Sequence, residues 1–321
     1  MKVTVTGAFG NIGTAVLAEL LSRGYAVRAF DLPSRSNRRV AREFEGRVDV
    51  FWGDVRDGGR VREAIASQDA VIHNAAVLPP TSEENPRLAS AVNVGGTRAV
   101  IEAMRSQPVP PRLVFASSIS VHGPMQHLSP PRTSGDPLRP TDEYTRNKVE
   151  CETMVRASDL PWVILRIGVA LDPSRRGTSP ARARLLFETS LDTRMELVDR
   201  RDVARAMARS ARSDEALGKT LLIGGGPSCR IRQRDLVKAV CDSLGIEMLP
   251  DAAFGDRNYY TDWMDTEESQ RILQYQHHDF AGYRRELILR LRHVRWLLSP
   301  VSPLVRRALL RYSPRPAASR A

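Results

Sequence analysis

Lysine is nearly absent from this chain. Of its 48 basic residues only Lys2, Lys148, Lys219 and Lys238 are lysines, and arginine holds every other basic position. Each lysine is therefore worth scrutiny, because a compact ammonium with a movable pKa does work that arginine's fixed guanidinium cannot. Cysteine is equally sparse. Cys151, Cys229 and Cys241 form no C-x-x-C pair, which excludes a disulfide framework and a zinc site and leaves three reduced packing thiols. His73 and His127 have no partner at metal-ligand spacing, so they read as structural and no metal is expected. No apolar run reaches the ~20 residues needed to cross a bilayer, and no charged segment followed by a long apolar stretch opens the chain. The expectation is a cytoplasmic protein.

What is present is a folded globular composition. The 321 residues are 42% hydrophobic, enough for a large domain with a smaller partner. The net charge of +11 would suggest a nucleic-acid partner if it were spread over the body. It is not: between Arg284 and Arg315 nine arginines face a single acid, Glu286, so the body is close to neutral and no nucleic acid is expected.

"KVTVT" at 2–6 is a β-branched run followed by a glycine loop and then "TAVLAELLSRG", where Val16, Leu17, Leu20 and Leu21 recur at helical spacing before Gly24. "YAVRAF", "RVDVFWGD", "DAVIHNAA", "PRLVFASS" and "PWVILRIG" continue as strand-like segments separated by helical patterns. Such alternation predicts an α/β fold of Rossmann type, a doubly wound parallel sheet with ligands at the carboxyl ends of its strands. After residue 167 the rhythm becomes irregular, although "KTLLIGGG" is strand-like. The expected division is a dinucleotide-binding domain at 1–167, its core shared with later segments, a smaller substrate-binding lobe at 168–282, and a basic tail at 283–321.

"TGAFGNIG" places Gly7, Gly10 and Gly13 between the first strand and the first helix. The first permits a tight turn, the second removes a side chain where a pyrophosphate approaches, and the third lets helix and strand pack closely. The helix N-terminus offers N–H donors and partial positive charge to phosphate. Asp31, ending the second strand, suits adenosine ribose hydroxyls and repels a 2′-phosphate, favouring NAD over NADP. Arg35, Arg38 and Arg39 follow it, either as phosphate partners or as a solvated helix start. Asp54 in "WGDVRD" either addresses the adenine or caps the next helix through the amides of Val55 to Asp57.

With "HNAA" at 73–76, "NVGGT" at 93–97, "FASSISVHG" at 115–123, "EYTRNK" at 143–148, and "DRRDVARAM" followed by "IGGG", the chain resembles the extended short-chain dehydrogenases/reductases of the NAD-dependent epimerase/dehydratase family. The resemblance covers residues 2 to about 245. It implies that Tyr144 and Lys148 are the catalytic pair and that Ser118 is the third member, with Ser117 and Ser120 as chemically similar neighbours. It further implies a cofactor site formed by Gly7, Phe9, Gly10, Asn11, Ile12 and Gly13, by Asp31, Asp54 and Val55, by Asn74, Ala75 and Ala76, and by Asn93, Tyr144 and Lys148. Asn93 would anchor a helix near the site. A homodimer through helices around 85–106 and 142–158 is implied as well.

The chemistry agrees with that pairing. Residues four apart on a helix lie one above the other. Bringing a phenol from its ordinary pKa of ~10 to neutrality takes about 4 kcal/mol, and an ammonium at ~4 Å supplies about that much at an effective dielectric of ~20. Lys148 would also hold the nicotinamide ribose, and Ser118 would donate to the substrate oxygen.

Departures from the resemblance bear on the substrate, a small molecule. The sugar-nucleotide members continue with Arg-Pro-x-Asn-x-Tyr-Gly-Pro where this chain has "RIGVALDP". Arg166 and Pro173 match, but Val169 and Leu171 replace asparagine and tyrosine. A more apolar wall points to a less polar alcohol or ketone. Ile119 and Ser120 occupy the positions of a sugar dehydratase's acidic pair, which argues against 4,6-dehydration. His122 stands where tyrosine is usual, to shape the pocket or to pack. The expected activity is reversible hydride transfer at a secondary alcohol or ketone; the alternatives are a nucleotide-sugar epimerase holding NAD tightly and a non-catalytic NAD-binding scaffold or redox sensor.

The tail lies outside the resemblance. Leu287, Ile288, Leu291, Val294, Leu297 and Leu298 form an apolar stripe opposite arginines, with Trp296 near the boundary. It suits either peripheral contact with an anionic membrane or docking on the protein's own core or on a partner subunit.

Overall fold

The computed structural model describes residues 1–172, 180–257, 259–298 and 301–315. The expected alternation appears as β1 (Lys2–Thr6), α1 (Asn11–Ser22), β2 (Ala26–Asp31), α2 (Arg35–Ala41), β3 (Asp49–Trp52), α3 (Gly58–Ile65) and β4 (Ala70–His73). Two short helices, α4 (Thr81–Glu84) and α5 (Pro86–Ser90), lead through a π turn at Ala91–Gly95 into α6 (Gly96–Arg105). Then come β5 (Arg112–Ser118), α7 (Glu143–Arg156), β6 (Trp162–Ile167), β7 (Val169–Leu171), α8 (Pro180–Glu188), β8 (Arg194–Asp199) and α9 (Arg200–Ser210). The chain continues through β9 (Thr220–Ile223), β10 (Arg230–Arg232), α10 (Gln233–Leu244), α11 (Glu267–Leu273), α12 (Phe280–Leu298) and α13 (Ser302–Leu310).

Seven of these strands form one parallel sheet in the order β3-β2-β1-β4-β5-β6-β9. Successive side chains on a strand face opposite sides, so a strand buried on both faces reads as continuous apolar sequence. Val3, Val5, Ile72, Val114 and Leu165 pack with Val16, Leu17 and Leu20 of α1 and with Val203 and Met207 of α9. Val71, Leu113, Phe115 and Ile164 pack with Val61 and Ile65 of α3, Val100 and Met104 of α6, and Val155 of α7. Each such side chain contributes about 1.5–3 kcal/mol of burial. The sheet is therefore covered on both faces, and the strand order reverses between β1 and β4. Ligands of such sheets bind in the crevice at that reversal.

β7, β8 and β10 form a second, three-stranded sheet. Buried Glu196 of β8 ties it to its surroundings by accepting the N–H groups of Gly226 and Met264 at 3.0 and 2.9 Å and pairing with Arg230 at 3.1 Å. A separate apolar cluster joins Phe187, Leu191, Val237, Cys241, Ile246, Leu249 and Phe254 to Leu310 of α13. The three cysteines are free and buried. Pro173, the side chain of Leu298 and residues 316–321, all used in the sequence reading, lie outside the described residues.

Candidate active site

The loop after β1 is built for close backbone approach. Gly7 has φ +63°, and a Cβ there would lie 2.8 Å from the Cα of Ala75 on the neighbouring loop. At Gly13 a Cβ would fall 2.2 Å from the Gly7 carbonyl oxygen, so α1 seats directly on the loop. Gly10 is the N-cap of α1 and no side chain covers that helix end. Its first-turn N–H groups suit an anion lying against bare backbone, which is the fit a dinucleotide pyrophosphate requires.

Asp31 reaches this loop from the end of β2. Its carboxylate accepts the N–H groups of Phe9 and Leu32, both at 2.8 Å, and the Asn37 amide at 3.0 Å. Burial raises its pKa, opposed by the Phe9 and Leu32 bonds. The Asp54 carboxylate turns to Arg56, 2.5 Å away, which holds it below the ordinary carboxylate range. The cap of α3 is Asp57, which accepts from Gly59 and Arg60, while Asp54 accepts one of the amides ahead of that helix, the Arg56 N–H at 2.9 Å. Arg38 lies over the Trp52 ring at 5.2 Å and donates to the Pro33 carbonyl, while Arg35 and Arg39 are exposed.

Gly7, Gly10, Asn11, Ile12, Asp31, Asp54, Val55, Asn74, Ala75, Ala76, Ser118, Tyr144 and Lys148 line one cleft of about 1810 Å³. Phe9, Gly13 and Asn93 stand outside its lining. Phe9 packs against Trp52 with ring centroids 5.3 Å apart. Asn93 is buried in the π turn, where it accepts the Val77 N–H at 2.7 Å, donates to the Val77 carbonyl at 3.1 Å and meets Asn147 at 3.3 Å. It anchors a helix to a cleft loop and touches the cleft only through Val77.

Tyr144 and Lys148 occupy the first turns of α7, whose start is over-determined. Asp142 and Thr145 form a reciprocal capping box, and the Glu83 carboxylate accepts the N–H groups of Glu143 and Tyr144 at 3.0 and 3.1 Å. Ser118 ends β5, where its hydroxyl neighbours Tyr144 and favours the phenolate, and it lies 2.8 Å from the hydroxyl of Ser120. Ser117 instead donates to Glu152 at 2.6 Å, on the buried side of the strand. The geometry therefore singles out Ser118 over Ser117. The Lys148 ammonium sits 5.8 Å from the Tyr144 ring centroid and donates to the Ala116 carbonyl at 2.6 Å.

The electrostatics differ from the sequence expectation at one point. The phenol of Tyr144 is pushed up rather than down, first by burial and then by the neighbouring Tyr259. The Lys148 ammonium donates to the Ala116 carbonyl, and burial lowers its own pKa. His73 below them is structural: it pairs with Thr6 at 2.7 Å and Thr97 at 3.1 Å, and burial with the Lys148 charge pushes it down to about 3. The ring is neutral beside the ammonium. His122 is also buried, between the Pro137 carbonyl and Arg166, each 3.2 Å away; it packs and does not line the cleft. Arg166 makes two bonds to buried Glu152, at 2.9 and 2.8 Å, joining β6 to α7.

Beyond Ser118 the walls are Leu78, Pro79, Pro80 and Leu88 on one side and Val169, Ala170, Tyr259 and Tyr260 on the other. Leu171 packs against the cluster of Met195, Leu197, Cys229 and Ile231 and lies outside the lining, so only Val169 of the two departures noted above faces the cleft. Arg184, Glu188 and Arg257 also line the cleft, the last two paired at 3.5 Å. Glu83, Asn147 and Tyr259 had no local sequence signal, since each meets the site only through tertiary contact.

A family model described as the NAD dependent epimerase/dehydratase family matches residues 3–224. The chain is 31% identical over 173 residues to a 3 beta-hydroxysteroid dehydrogenase/Delta 5-->4-isomerase of Mycobacterium tuberculosis, covering 49% of this chain and 43% of that one. It is 32% identical over 176 residues to UDP-glucose 4-epimerase 4 of Oryza sativa subsp. japonica, covering 51% and 47%. To sterol demethylase protein B of Methylococcus capsulatus it is 33% identical over 157 residues, covering 47% and 45%. It thus spans less than half the length of these curated relatives. A short-chain dehydrogenase/reductase superfamily protein from Agrobacterium tumefaciens with bound NAD has the same fold, with a TM-score of 0.75 at 22% identity over 94% of this chain and 99% of that one. So does a double mutant of the dTDP-glucose 4,6-dehydratase DesIV from Streptomyces venezuelae, with a TM-score of 0.77 at 24% identity over 94% and 99%.

Proposed function

Because the chain belongs to the NAD dependent epimerase/dehydratase family, we propose that it is an NAD-dependent oxidoreductase acting reversibly at a secondary alcohol or ketone, with Ser118, Tyr144 and Lys148 as its catalytic residues. The observation that carries this reading is that Ser118, Tyr144 and, one helical turn on, Lys148 line the same cleft as the glycine loop. When bound, the nicotinamide supplies the two-electron acceptor or donor. Ser118 holds the substrate oxygen, and the Tyr144 phenolate takes the alcohol proton or returns it. Lys148 has three N–H donors, of which one goes to the Ala116 carbonyl. The others would hold the nicotinamide ribose, and the positive charge of the lysine would favour the phenolate. Gly7, Gly10, Asn11 and Ile12 present backbone to the pyrophosphate, and Asp31 favours NAD over NADP.

The substrate body is apolar. Leu78, Leu88, Val169 and Ala170 surround the approach to Ser118, and two of the relatives named above are a hydroxysteroid dehydrogenase and a sterol demethylase component. Incubating the protein with NAD and a panel of hydroxysterols and aromatic secondary alcohols tests the reading through growth of reduced nicotinamide. No reduction with any of them, at protein concentrations that bind NAD, counts against it.

A second reading has its own observation. Arg184 and Arg257 both line the cleft and could address a diphosphate, as a nucleotide-sugar epimerase requires. Glu188 already takes up part of the Arg257 charge, which weakens this alternative. An epimerase retains NAD through purification and interconverts sugar epimers without net reduction of added NAD; mass spectrometry of the purified protein separates the two.

A further inference from the structure

Six of the twelve exposed large apolar side chains among the described residues fall within residues 289–304: Leu289, Val294, Trp296, Leu297, Val301 and Leu304. They sit on a two-helix unit whose other surfaces are pinned to the protein. On α12, Arg284 and Arg295 bond to Asp242 of α10 at 3.3 and 3.1 Å, and Glu286 pairs with Arg201 of α9 at 2.8 Å. Leu287, Ile288 and Leu291 are half-buried on that side. On α13, Leu310 is buried, and Val305, Leu309 and Tyr312 pack beside it in the cluster that holds Phe187 and Phe254. Both helices are therefore seated, and what remains outward is not an undocked core face.

The outward surface mixes two chemistries in a regular pattern. Arg285, Leu289, Arg292 and Trp296 are spaced four, three and four residues apart, which puts them on one face of α12. All four are exposed, with Leu289 at 65% and Trp296 at 77%. Leu297 in the last turn of α12, with Val301 and Leu304 at the start of α13, extends the apolar set, and Arg290, Arg307 and Arg311 are exposed around it. The one acid of the segment, Glu286, is spent on Arg201. A second copy of the chain is a poor occupant, because it would bring a like-charged arginine surface against this one. Nucleic acid leaves Leu289, Leu297 and Leu304 without a partner. An anionic phospholipid surface satisfies both sets at once, with apolar side chains and the indole at the headgroup boundary and guanidiniums on phosphates. Among the described residues no helix is long and apolar enough to cross a membrane, so the mode is contact along the surface.

We propose that α12 and α13 form an interfacial foot that holds this protein on anionic phospholipid membranes. The foot is independent of the catalytic reading, since none of its residues lines the cleft. The test is flotation of the full chain with vesicles of phosphatidylglycerol mixed with phosphatidylcholine, with pure phosphatidylcholine as control. The protein floats with the anionic vesicles at low salt, and binding weakens as salt is raised. Replacing Arg285 and Arg292 by Gln lowers partitioning by about fivefold per arginine. The double substitution Trp296→Ser and Leu304→Ser abolishes flotation while the thermal melt is unchanged, as expected of exposed side chains. Failure to float at low salt overturns the proposal. So does equal flotation of the wild type and the Ser variant, or Trp296-dependent dimerisation in gel filtration without vesicle binding. A nucleic-acid duplex bound in preference to the vesicles also overturns it.

Discussion

The Glu83 carboxylate accepts the backbone N–H of Tyr144 at 3.1 Å. A wall of the cleft thereby holds the turn of helix that presents the phenol. Negative charge at a helix N-terminus stabilises it by roughly 0.3–1 kcal/mol. The Glu83→Ala variant is expected to lose about 1 kcal/mol of stability and to turn over several-fold more slowly with unchanged NAD affinity; Glu83→Gln recovers part of both. If the folded Ala variant keeps full kcat, Glu83 is a cap and does not position Tyr144. Its pKa lies below the ordinary 4.5, through the bonds from Glu143, Ser82 and Tyr144 working against burial. Its contribution is thus present above pH 4.5 and is lost as the pH falls through its lowered pKa.

Asp31 serves two purposes, bracing the glycine loop through Phe9 and facing the cleft where an adenosine ribose would lie. Removing the carboxylate in Asp31→Ala removes the repulsion of a 2′-phosphate and also loosens the brace. Calorimetry should find NAD binding weaker and the NAD/NADP affinity ratio shifted at least ~10-fold towards NADP, about 1.4 kcal/mol. An unchanged ratio assigns cofactor choice elsewhere.

Two buried histidines set an acid limit on stability. Burial lowers His73 to about 3 with help from Lys148, and lowers His122 with help from Arg166. In the unfolded chain both protonate near 6.5, so below that pH the unfolded state binds more protons and stability falls with falling pH. Urea melts should show stability falling with pH below 6.5, the His73 contribution approaching about 1.4 kcal/mol per pH unit roughly one unit below that value. His73→Gln, which can still bridge Thr6 and Thr97, should flatten the slope. A slope unchanged by that substitution would show that His73 titrates normally.

The parts legible in the sequence were those fixed by local pattern. The glycine loop declared itself by spacing and the sheet by alternation, whereas Tyr144 and Lys148 stood out as a pair only in the company of the other motifs that carry the family resemblance. Local pattern also misled. Lys148 was expected to draw the phenol down, but a spacing cannot say that the ammonium turns to the Ala116 carbonyl. Asn93 carried a motif yet sits in a π turn, a register change invisible to a 3.6-residue period. Glu83 was passed over because its partner stands 61 residues away. The tail's stripe was read as one face, whereas Leu287, Ile288 and Leu291 dock while Val294 and Leu297 stay exposed.

The most direct test of the central claim pairs two readings on Tyr144→Phe, NAD binding by calorimetry and turnover of whichever apolar secondary alcohol the wild type oxidises. Loss of the proton-transfer group should cost about 10²–10⁴ in kcat while NAD affinity stays within a few-fold of wild type. Retained turnover in the Phe variant would contradict the assignment of Tyr144 as acid and base. A wild type that binds NAD yet oxidises none of the alcohols and interconverts no nucleotide sugar would place the chain among non-catalytic NAD-binding scaffolds.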